Sequence, residues 1–282
     1  MLDTTGTLAV PGAALHYQVR GTGPLLLISQ SGEGDADRST DLVGRLADSY
    51  TVVTYDRRGL SRSRLAAPGC GATLAEHADD VQRLLASLTD TPALMLGCSL
   101  GAVIGMHVAV RHPGRIRTLI AHEPVAPRLL PDGERAHHER ELAALQELYL
   151  REGLAAALPE IARTLGIDPA STDKEPDLTP QPMNALRLAN FDHFIRHDFT
   201  AVLHDTLDTT ALKDTGTRIV PAVGRTTPHT VFDRRAATAL AELLCREPRF
   251  LPGGHNGNTT HPRAYAARLR EILGSEDHQR QR

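Results

Sequence analysis

The sequence predicts an α/β fold built on a doubly wound, mostly parallel sheet. Short apolar runs, such as residues 25–28, alternate along the chain with stretches of helical periodicity. One such run, residues 93–96, leads through a tight glycine-bounded turn directly into an apolar helical run at residues 102–110. Apolar runs without polar alternation are typical of parallel strands that are covered by helices on both faces.

Length and composition restrict the protein to a few broad classes. A chain of 282 residues with 41% hydrophobic residues can bury one large core, or one core with an insertion. The net charge of −3 gives no indication of binding to nucleic acid or to an anionic membrane. The expected partner is a small-molecule substrate, and a homodimer is left open.

The N-terminus and the cysteines indicate a cytoplasmic protein. The first residues, MLDTTGTLAVPG, have no basic region and no long apolar run, so no signal peptide is expected. No run approaches the roughly 18 consecutive apolar residues that a membrane-spanning helix needs. The three cysteines, Cys70, Cys98 and Cys245, show no metal-ligand spacing and are predicted to be reduced thiols.

The predicted strands and helices follow one another in a regular order. A Pro11-Gly12 turn joins the first two strands, which are residues 6–10 and 14–20. Further strands are predicted at residues 25–28, 51–55, 93–96, 117–121, 218–223 and 249–251. Helices are predicted at residues 40–46, 73–88, 102–110, 233–245 and 261–273. Residues 125–217 are helical, charged and poorly patterned as strands, and the last residues, 276–282, are predicted to be disordered.

The turn at residues 97–101 carries the motif with the clearest chemical meaning. Gly97 and Gly101 lack a Cβ atom, so the turn can be steep and can pass close to neighbouring backbone. A G-x-S-x-G sequence between a strand and a helix lifts its serine, here Ser99, clear of the core. The N-terminus of the following helix directs amides at negative charge that develops beside this serine. Ser99 is therefore the candidate nucleophile.

These residues give the chain a resemblance to the α/β-hydrolase superfamily, with Ser99 in the nucleophile-elbow position. The resemblance covers most of the chain and implies a core formed by residues 1–124 and 218–275. It also implies that residues 125–217 form an inserted helical lid. His255, in the Gly-Gly-His turn after the last strand, resembles the family's catalytic histidine and follows the serine in the expected chain order.

Two positions depart from the family pattern. Many members carry His-Gly after the strand at residues 25–28, in the loop that supplies one oxyanion-hole amide, but this chain has Ser-Gln-Ser-Gly. A backbone amide needs no particular side chain, so the resemblance still implies an oxyanion hole formed by the amide of Leu100 with that of Gln30 or Ser31. The second departure is Thr227, which occupies the position where members often have the acidic residue of the catalytic triad.

Two carboxylates compete for the role of the acid. Asp233 follows the expected strand but begins a predicted helix, where the helix dipole alone favours an acidic residue. Glu123 stands at the tip of the strand after the nucleophile's helix, and its longer side chain helps to span the gap. The working hypothesis is a Ser99–His255–Glu123 triad, with Asp233 as the alternative acid.

Apolar residues in the inserted segment are candidates for substrate binding. Phe191 and Phe194, with Leu186 and Leu188, are arranged as the wall of a pocket would be. A packed helix without ligand contacts would have the same pattern, so both interpretations stay open.

The predicted function is that of a serine hydrolase. Ser99 would form an acyl-enzyme with an ester, lactone or thioester of a small organic molecule. Epoxide hydrolysis and dehalogenation are disfavoured, because enzymes with this fold use an Asp nucleophile for them. No metal or organic cofactor is implied. Two other classes stay open: a cofactor-independent cyclase, lyase or acyl transferase on the same fold, and a non-catalytic small-molecule binding protein.

Overall fold

The structure, a computed structural model, describes residues 2–67 and 69–274. The prediction of a disordered tail at residues 276–282 lies outside the described residues. The remaining predicted strands and helices fall within them.

One mixed sheet organises the protein, and most of its strands are parallel. The strands are β1 (Leu2–Val10), β2 (Ala13–Gly21), β3 (Leu25–Ser29), β4 (Thr51–Tyr55), β5 (Arg64–Leu65), β6 (Ala93–Cys98), β7 (Ile116–His122), β8 (Arg218–Gly224) and β9 (Arg249–Leu251). Their order across the sheet is β1-β2-β4-β3-β6-β7-β8-β9, and β5 pairs with β2. The pairs that involve β1 or β2 are antiparallel, and the pairs from β4 to β9 are parallel.

The first hairpin is longer than the sequence pattern indicates. The predicted strand covers residues 6–10, but β1 pairs with β2 from Leu2 to Val10. The added residues are mostly polar and show no apolar alternation, so the pattern cannot reveal them. Backbone pairing at the edge of the sheet is sufficient to extend the strand. The short strand β5, which the pattern also misses, pairs with β2 at Ala13 and Ala14.

Helices cover both faces of the sheet. They are α1 (Thr40–Leu46), α2 (Leu74–Leu88), α3 (Leu100–Arg111), α4 (Asp132–Glu152), α5 (Leu154–Thr164), α6 (Ala185–His193), α7 (Phe199–Leu203), α8 (Phe232–Leu243), α9 (Gly257–Thr260) and α10 (Pro262–Gly274). One buried cluster includes residues of α2, α3 and α8, and a second includes residues of α1 and α10. Apolar side chains of both clusters enclose β3 and β6, which explains why these strands are apolar on both faces.

The segment between β7 and β8 is helical and contains no strand in the described structure. Its buried residues, such as Leu142 in α4, join the cluster of α2 and α3. Irregular chain connects α5 to α6. A π-helical turn, Phe194–Asp198, joins α6 to α7. Asp198 forms a buried ion pair with Arg57, which follows β4, at 2.7 Å between Arg57 Nη2 and Asp198 Oδ2.

The parallel strands end at one edge of the sheet, and this edge positions the candidate site. Cys98, the last residue of β6, pairs with His122, the last residue of β7. The following residues, Ser99 and Glu123, therefore leave neighbouring strands side by side. The loop that carries His255 follows β9, two strands beyond β7. Ligand sites of doubly wound sheets occur at this edge. Among the described residues, no helix is long and apolar enough to cross a bilayer.

Candidate active site

Ser99 occupies a strained turn between β6 and α3. Its backbone angles, φ 51° and ψ −111°, lie where residues other than glycine are uncommon. Its amide donates to the carbonyl of His122 at 2.9 Å, which ties the turn to β7. A Cβ atom on Gly101 would collide with the Ser29 carbonyl, and one on Gly97 would collide with the backbone of Gly101. Both glycines of the motif are therefore required by close backbone approach.

His255 lies within hydrogen-bond distance of Glu123. Nδ1 of His255 is 2.8 Å from Oε2 of Glu123, and both side chains are buried. This contact supports the tautomer with a proton on Nδ1, which leaves Nε2 free to accept a proton. His255 also lines the same cavity as Ser99.

Two backbone contacts fix the position of Glu123. The residue adopts a left-handed φ of 43°, and its amide donates to the Ala222 carbonyl at 3.0 Å. Its second carboxylate oxygen, Oε1, accepts from the amide of Gly224 at 2.8 Å. Burial by itself raises the pKa of Glu123, but the bond from His255, the charges of His122 and His255, and the Gly224 amide together outweigh burial and lower this pKa to about 2. Glu123 is therefore ionised at neutral pH.

The His255 imidazole faces two carboxylates. Burial lowers the pKa of His255, whereas the hydrogen bond with Glu123 and the charges of Asp233 and Glu123 raise it, and the net shift is upward. Asp233 Oδ2 is 3.8 Å from Nε2 of His255 and 3.5 Å from the hydroxyl oxygen of Ser99. Glu123 therefore contacts the Nδ1 side of the ring, and Asp233 lies on the Nε2 side, beside Ser99.

A second buried histidine lies behind Asp233. His138 Nε2, from α4, is 3.7 Å from Oδ1 of Asp233, and His138 Nδ1 is 3.6 Å from Oε2 of Glu141. Burial raises the pKa of Asp233, and the nearby His255 and His138 oppose that rise only in part. The sequence gives no indication that α4 contributes to this cluster, because a histidine on a charged helix has no distinctive pattern.

The loop after β3 is held by a buried arginine. Arg57 donates to the carbonyl of Ser31 at 3.2 Å through Nη1 and to the carbonyl of Gly32 through Nη2. Ser31 lines the cavity beside Ser99. The side chain of Gln30 is buried and accepts from the Ser39 hydroxyl at 3.0 Å. Of the two residues predicted to supply the second oxyanion-hole amide, Ser31 is the one at the cavity wall.

The cavity above Ser99 has a volume of about 260 Å³. It is lined by residues of the segment between β7 and β8, which include Leu158, Ile161, Leu165, Ile167, Phe191 and Phe194. Phe191 and Phe194 thus line the cavity, as one of the two interpretations of the sequence expects, and their binding of substrate stays a prediction. The prediction for Leu186 and Leu188 is wrong, because these side chains lie on the outer face of α6 and are exposed at 53% and 45%.

Comparison with known proteins identifies the family. The family model described as "alpha/beta hydrolase fold" matches residues 24–204, which is more than half of the chain. The chain belongs to the α/β-hydrolase family. The fold and the family predicted from the elbow motif are confirmed.

One curated relative matches almost the whole chain. It is the protein of Bacillus subtilis (strain 168) named "Uncharacterized hydrolase YraK", and it is 38% identical over 280 residues, 98% of each chain. This similarity supports the assignment of the chain as a hydrolase, but it does not show which bond is cleaved.

Two solved structures share the fold over nearly the full length. A thermophilic esterase from Thermogutta terrifontis has a TM-score of 0.72 at 21% identity, covering 98% of this chain and 99% of its own. A hydrolase from Pseudomonas aeruginosa PA01 has a TM-score of 0.67 at 23% identity, covering 96% and 98%. At this level of identity, the similarity shows a shared fold and gives no information about the substrate.

Proposed function

We propose that the protein is a serine hydrolase that cleaves an ester, lactone or thioester of a small organic molecule. Ser99 is the nucleophile, His255 is the general base and acid, and Glu123 is the acid that orients the histidine. The proposal is carried by one observation: His255 Nδ1 is 2.8 Å from Glu123 Oε2, beside a serine held in a strained elbow.

The first half of the reaction forms an acyl-enzyme. The Ser99 hydroxyl oxygen attacks the acyl carbonyl carbon, and Nε2 of His255 takes the hydroxyl proton. The imidazolium that results lies against the ionised Glu123, whose carboxylate stabilises the positive charge. His255 then gives the proton to the departing alcohol, enol or thiol, and the acyl group remains on Ser99.

Backbone amides stabilise the negative oxygen of the tetrahedral intermediate. The amide of Leu100 is at the N-terminus of α3, where the helix dipole favours negative charge. The amide of Ser31 is the proposed second donor, because Ser31 lines the cavity and Arg57 donates to its carbonyl. In this proposal, the oxyanion hole forms without the His-Gly signature.

Water completes the cycle. His255, neutral again after the leaving group departs, takes a proton from a water molecule that attacks the acyl carbonyl. The bond between the acyl carbon and the Ser99 oxygen then breaks, and Ser99 recovers its proton. The segment between β7 and β8 acts as the lid in this proposal, since its side chains form the apolar wall of the cavity.

A panel of p-nitrophenyl esters with acyl chains from two to ten carbons tests this function. A cavity of about 260 Å³ should accept short and medium acyl chains and reject the longest ones. Ser99→Ala should abolish turnover, and Ser49→Ala, which changes an exposed serine, should leave it unchanged. No turnover of esters, lactones or thioesters by the wild-type protein would remove the hydrolase proposal and favour a non-hydrolytic enzyme or a binding protein.

A further inference from the structure

The cavity above Ser99 is polar at one end. Three charged side chains line this end: Glu33 and Arg38, from the chain between β3 and α1, and Arg187 from α6. They are largely buried, with side-chain exposures of 11%, 12% and 21%. The rest of the wall is mostly apolar, so the charges are confined to one part of the cavity.

The two arginines share a single carboxylate. Arg187 donates to Oε1 of Glu33 from Nη2 at 2.8 Å and from Nε at 3.3 Å. Arg38 Nε approaches the same oxygen at 3.7 Å, which is an ion pair without a hydrogen bond. Two guanidinium groups and one carboxylate leave this end of the cavity with a net charge of +1.

Arg38 is the less satisfied of the two arginines. A guanidinium has five N–H donors, and within the described residues the Arg38 side chain makes no hydrogen bond. The pKa of Arg38 is lowered, because burial and the charge of Arg187 outweigh the opposing charges of Glu33 and Asp35. Asp35 is nearby, but its carboxylate accepts from the Ser61 hydroxyl at 2.7 Å and does not line the cavity. Free donors on a buried cation, facing a cavity, are suited to an anionic ligand.

We propose that Arg38 and Arg187 bind a carboxylate of the substrate, so that the preferred substrate is an ester, lactone or thioester that carries a free carboxylate. This inference rests on the proposed hydrolase function and narrows its substrate class. A singly charged carboxylate matches the net charge of +1, whereas a phosphate dianion would be repelled by Glu33. The planar guanidinium fork also matches the two oxygens of a carboxylate.

The alternative is that the three side chains only connect α6 to the core. In that case, substitution of either arginine would change stability or the turnover of all substrates alike. If the arginines bind a carboxylate, their substitution should change KM only for substrates that carry a carboxylate. Pairs of substrates that differ only in that charge separate the two explanations.

The experiment compares the mono-p-nitrophenyl ester of adipic acid with p-nitrophenyl hexanoate, in which a methyl group replaces the carboxylate. A second pair, 4-carboxyphenyl butyrate and 4-methylphenyl butyrate, places the charge on the leaving group. We expect the wild-type protein to prefer the charged member of at least one pair by roughly tenfold to a hundredfold in kcat/KM. This is the effect expected from one hydrogen bond to a charged group. The kcat/KM of each pair is corrected for the different reactivity of its esters by their rates of hydrolysis by hydroxide.

Substitutions then assign the preference to the arginines. Arg38→Met and Arg187→Met should remove most of it by raising KM for the charged ester, and Arg38→Lys should restore part of it. Glu33→Gln should increase the preference, because it removes the competing carboxylate. Arg151→Met, at an exposed arginine of α4, is the control and should change nothing. Thermal unfolding of each variant verifies that it is folded.

The outcomes separate this inference from the proposed function. Equal corrected kcat/KM within both pairs, in a protein that hydrolyses the uncharged esters, would overturn the carboxylate site and leave the hydrolase intact. A preference that survives Arg38→Met and Arg187→Met in folded variants would overturn the assignment to these residues. Absence of hydrolysis of every ester would instead contradict the proposed function itself.

Discussion

The imidazole of His255 lies between two carboxylates, with Glu123 2.8 Å from Nδ1 and Asp233 3.8 Å from Nε2. The two carboxylates therefore differ in what they can do. Glu123 accepts from Nδ1, and Asp233 stands on the Nε2 side of the ring, close to the Ser99 hydroxyl. This difference in position yields separate predictions for the two residues.

Glu123→Gln should lower kcat by roughly 10⁴, the effect of the equivalent change in a serine protease triad. The amide is nearly isosteric but neutral, so it cannot stabilise an imidazolium, and it can donate to Nδ1 and favour the wrong tautomer. The measurement is kcat on the best p-nitrophenyl ester, with circular dichroism to verify the fold. Asp233→Asn is the matched control, and its effect on kcat should be much smaller. A larger loss in Asp233→Asn than in Glu123→Gln would transfer the acid role to Asp233.

The pH dependence of kcat/KM should reflect the charges of both Glu123 and Asp233. The base must be neutral to accept a proton, and the pKa of His255 is raised, so kcat/KM should rise with pH along a limb centred above pH 6.5. Asp233→Asn removes one of the charges that raise this pKa, so the limb should move to lower pH. Profiles of both proteins between pH 5 and 10 provide the measurement. A limb that stays in place or moves upward in Asp233→Asn would show that Asp233 does not act on His255 through its charge.

The buried ion pair between Arg57 and Asp198 should be important for stability and for activity. Asp198→Asn leaves the guanidinium buried without its charge partner, at a cost of about 3–5 kcal/mol in the free energy of unfolding. Arg57 also holds the carbonyls of Ser31 and Gly32, so kcat should fall in the folded variant. Urea unfolding and ester turnover measure the two effects. Asp192→Asn, which breaks an exposed pair with Arg196, should cost only about 0–1 kcal/mol; equal costs in the two variants would refute this interpretation.

The close approach of α3 to the loop after β3 makes Gly101 sensitive to substitution. Gly101→Ala places a methyl group against the Ser29 carbonyl, so the free energy of unfolding should fall by about 1–3 kcal/mol or more. The displaced loop should also reduce kcat. Gly133→Ala in α4 is the control, since a Cβ atom there meets nothing within 4 Å, and it should be neutral or slightly stabilising. Denaturant unfolding of both variants gives the comparison, and a Gly101→Ala protein of wild-type stability and activity would contradict it.

Much of the fold follows from local sequence patterns. The apolar runs of β3, β4 and β6 and the periodicity of α2 depend on residues close together in the chain, so single-sequence reasoning finds them. The edge strand β5 and the first residues of β1 are missed, because they owe their structure to pairing and lack an apolar pattern. The short helix α9 is missed for a similar reason, since it depends on the packing of the loop around His255.

The residues of the candidate site likewise include some that the sequence predicts and some that it misses. Ser99, His255 and Glu123 are predictable because each follows a strand, and strand ends meet at one edge of a parallel sheet. The contacts of Asp233 with His138, and of Glu33 with Arg187, join residues from elements that are distant in the sequence. No local pattern encodes such contacts, so they emerge only from the packing of the inserted segment on the core.

Covalent labelling by a fluorophosphonate is the most direct test of the central claim that Ser99 is an activated nucleophile. We expect a single phosphonyl adduct on the peptide that contains Ser99, with loss of ester turnover in proportion to labelling. Ser99→Ala should show neither adduct nor turnover, and His255→Ala should label far more slowly than the wild-type protein. An adduct on another residue, or full turnover by a folded Ser99→Ala protein, would show that Ser99 is not the nucleophile.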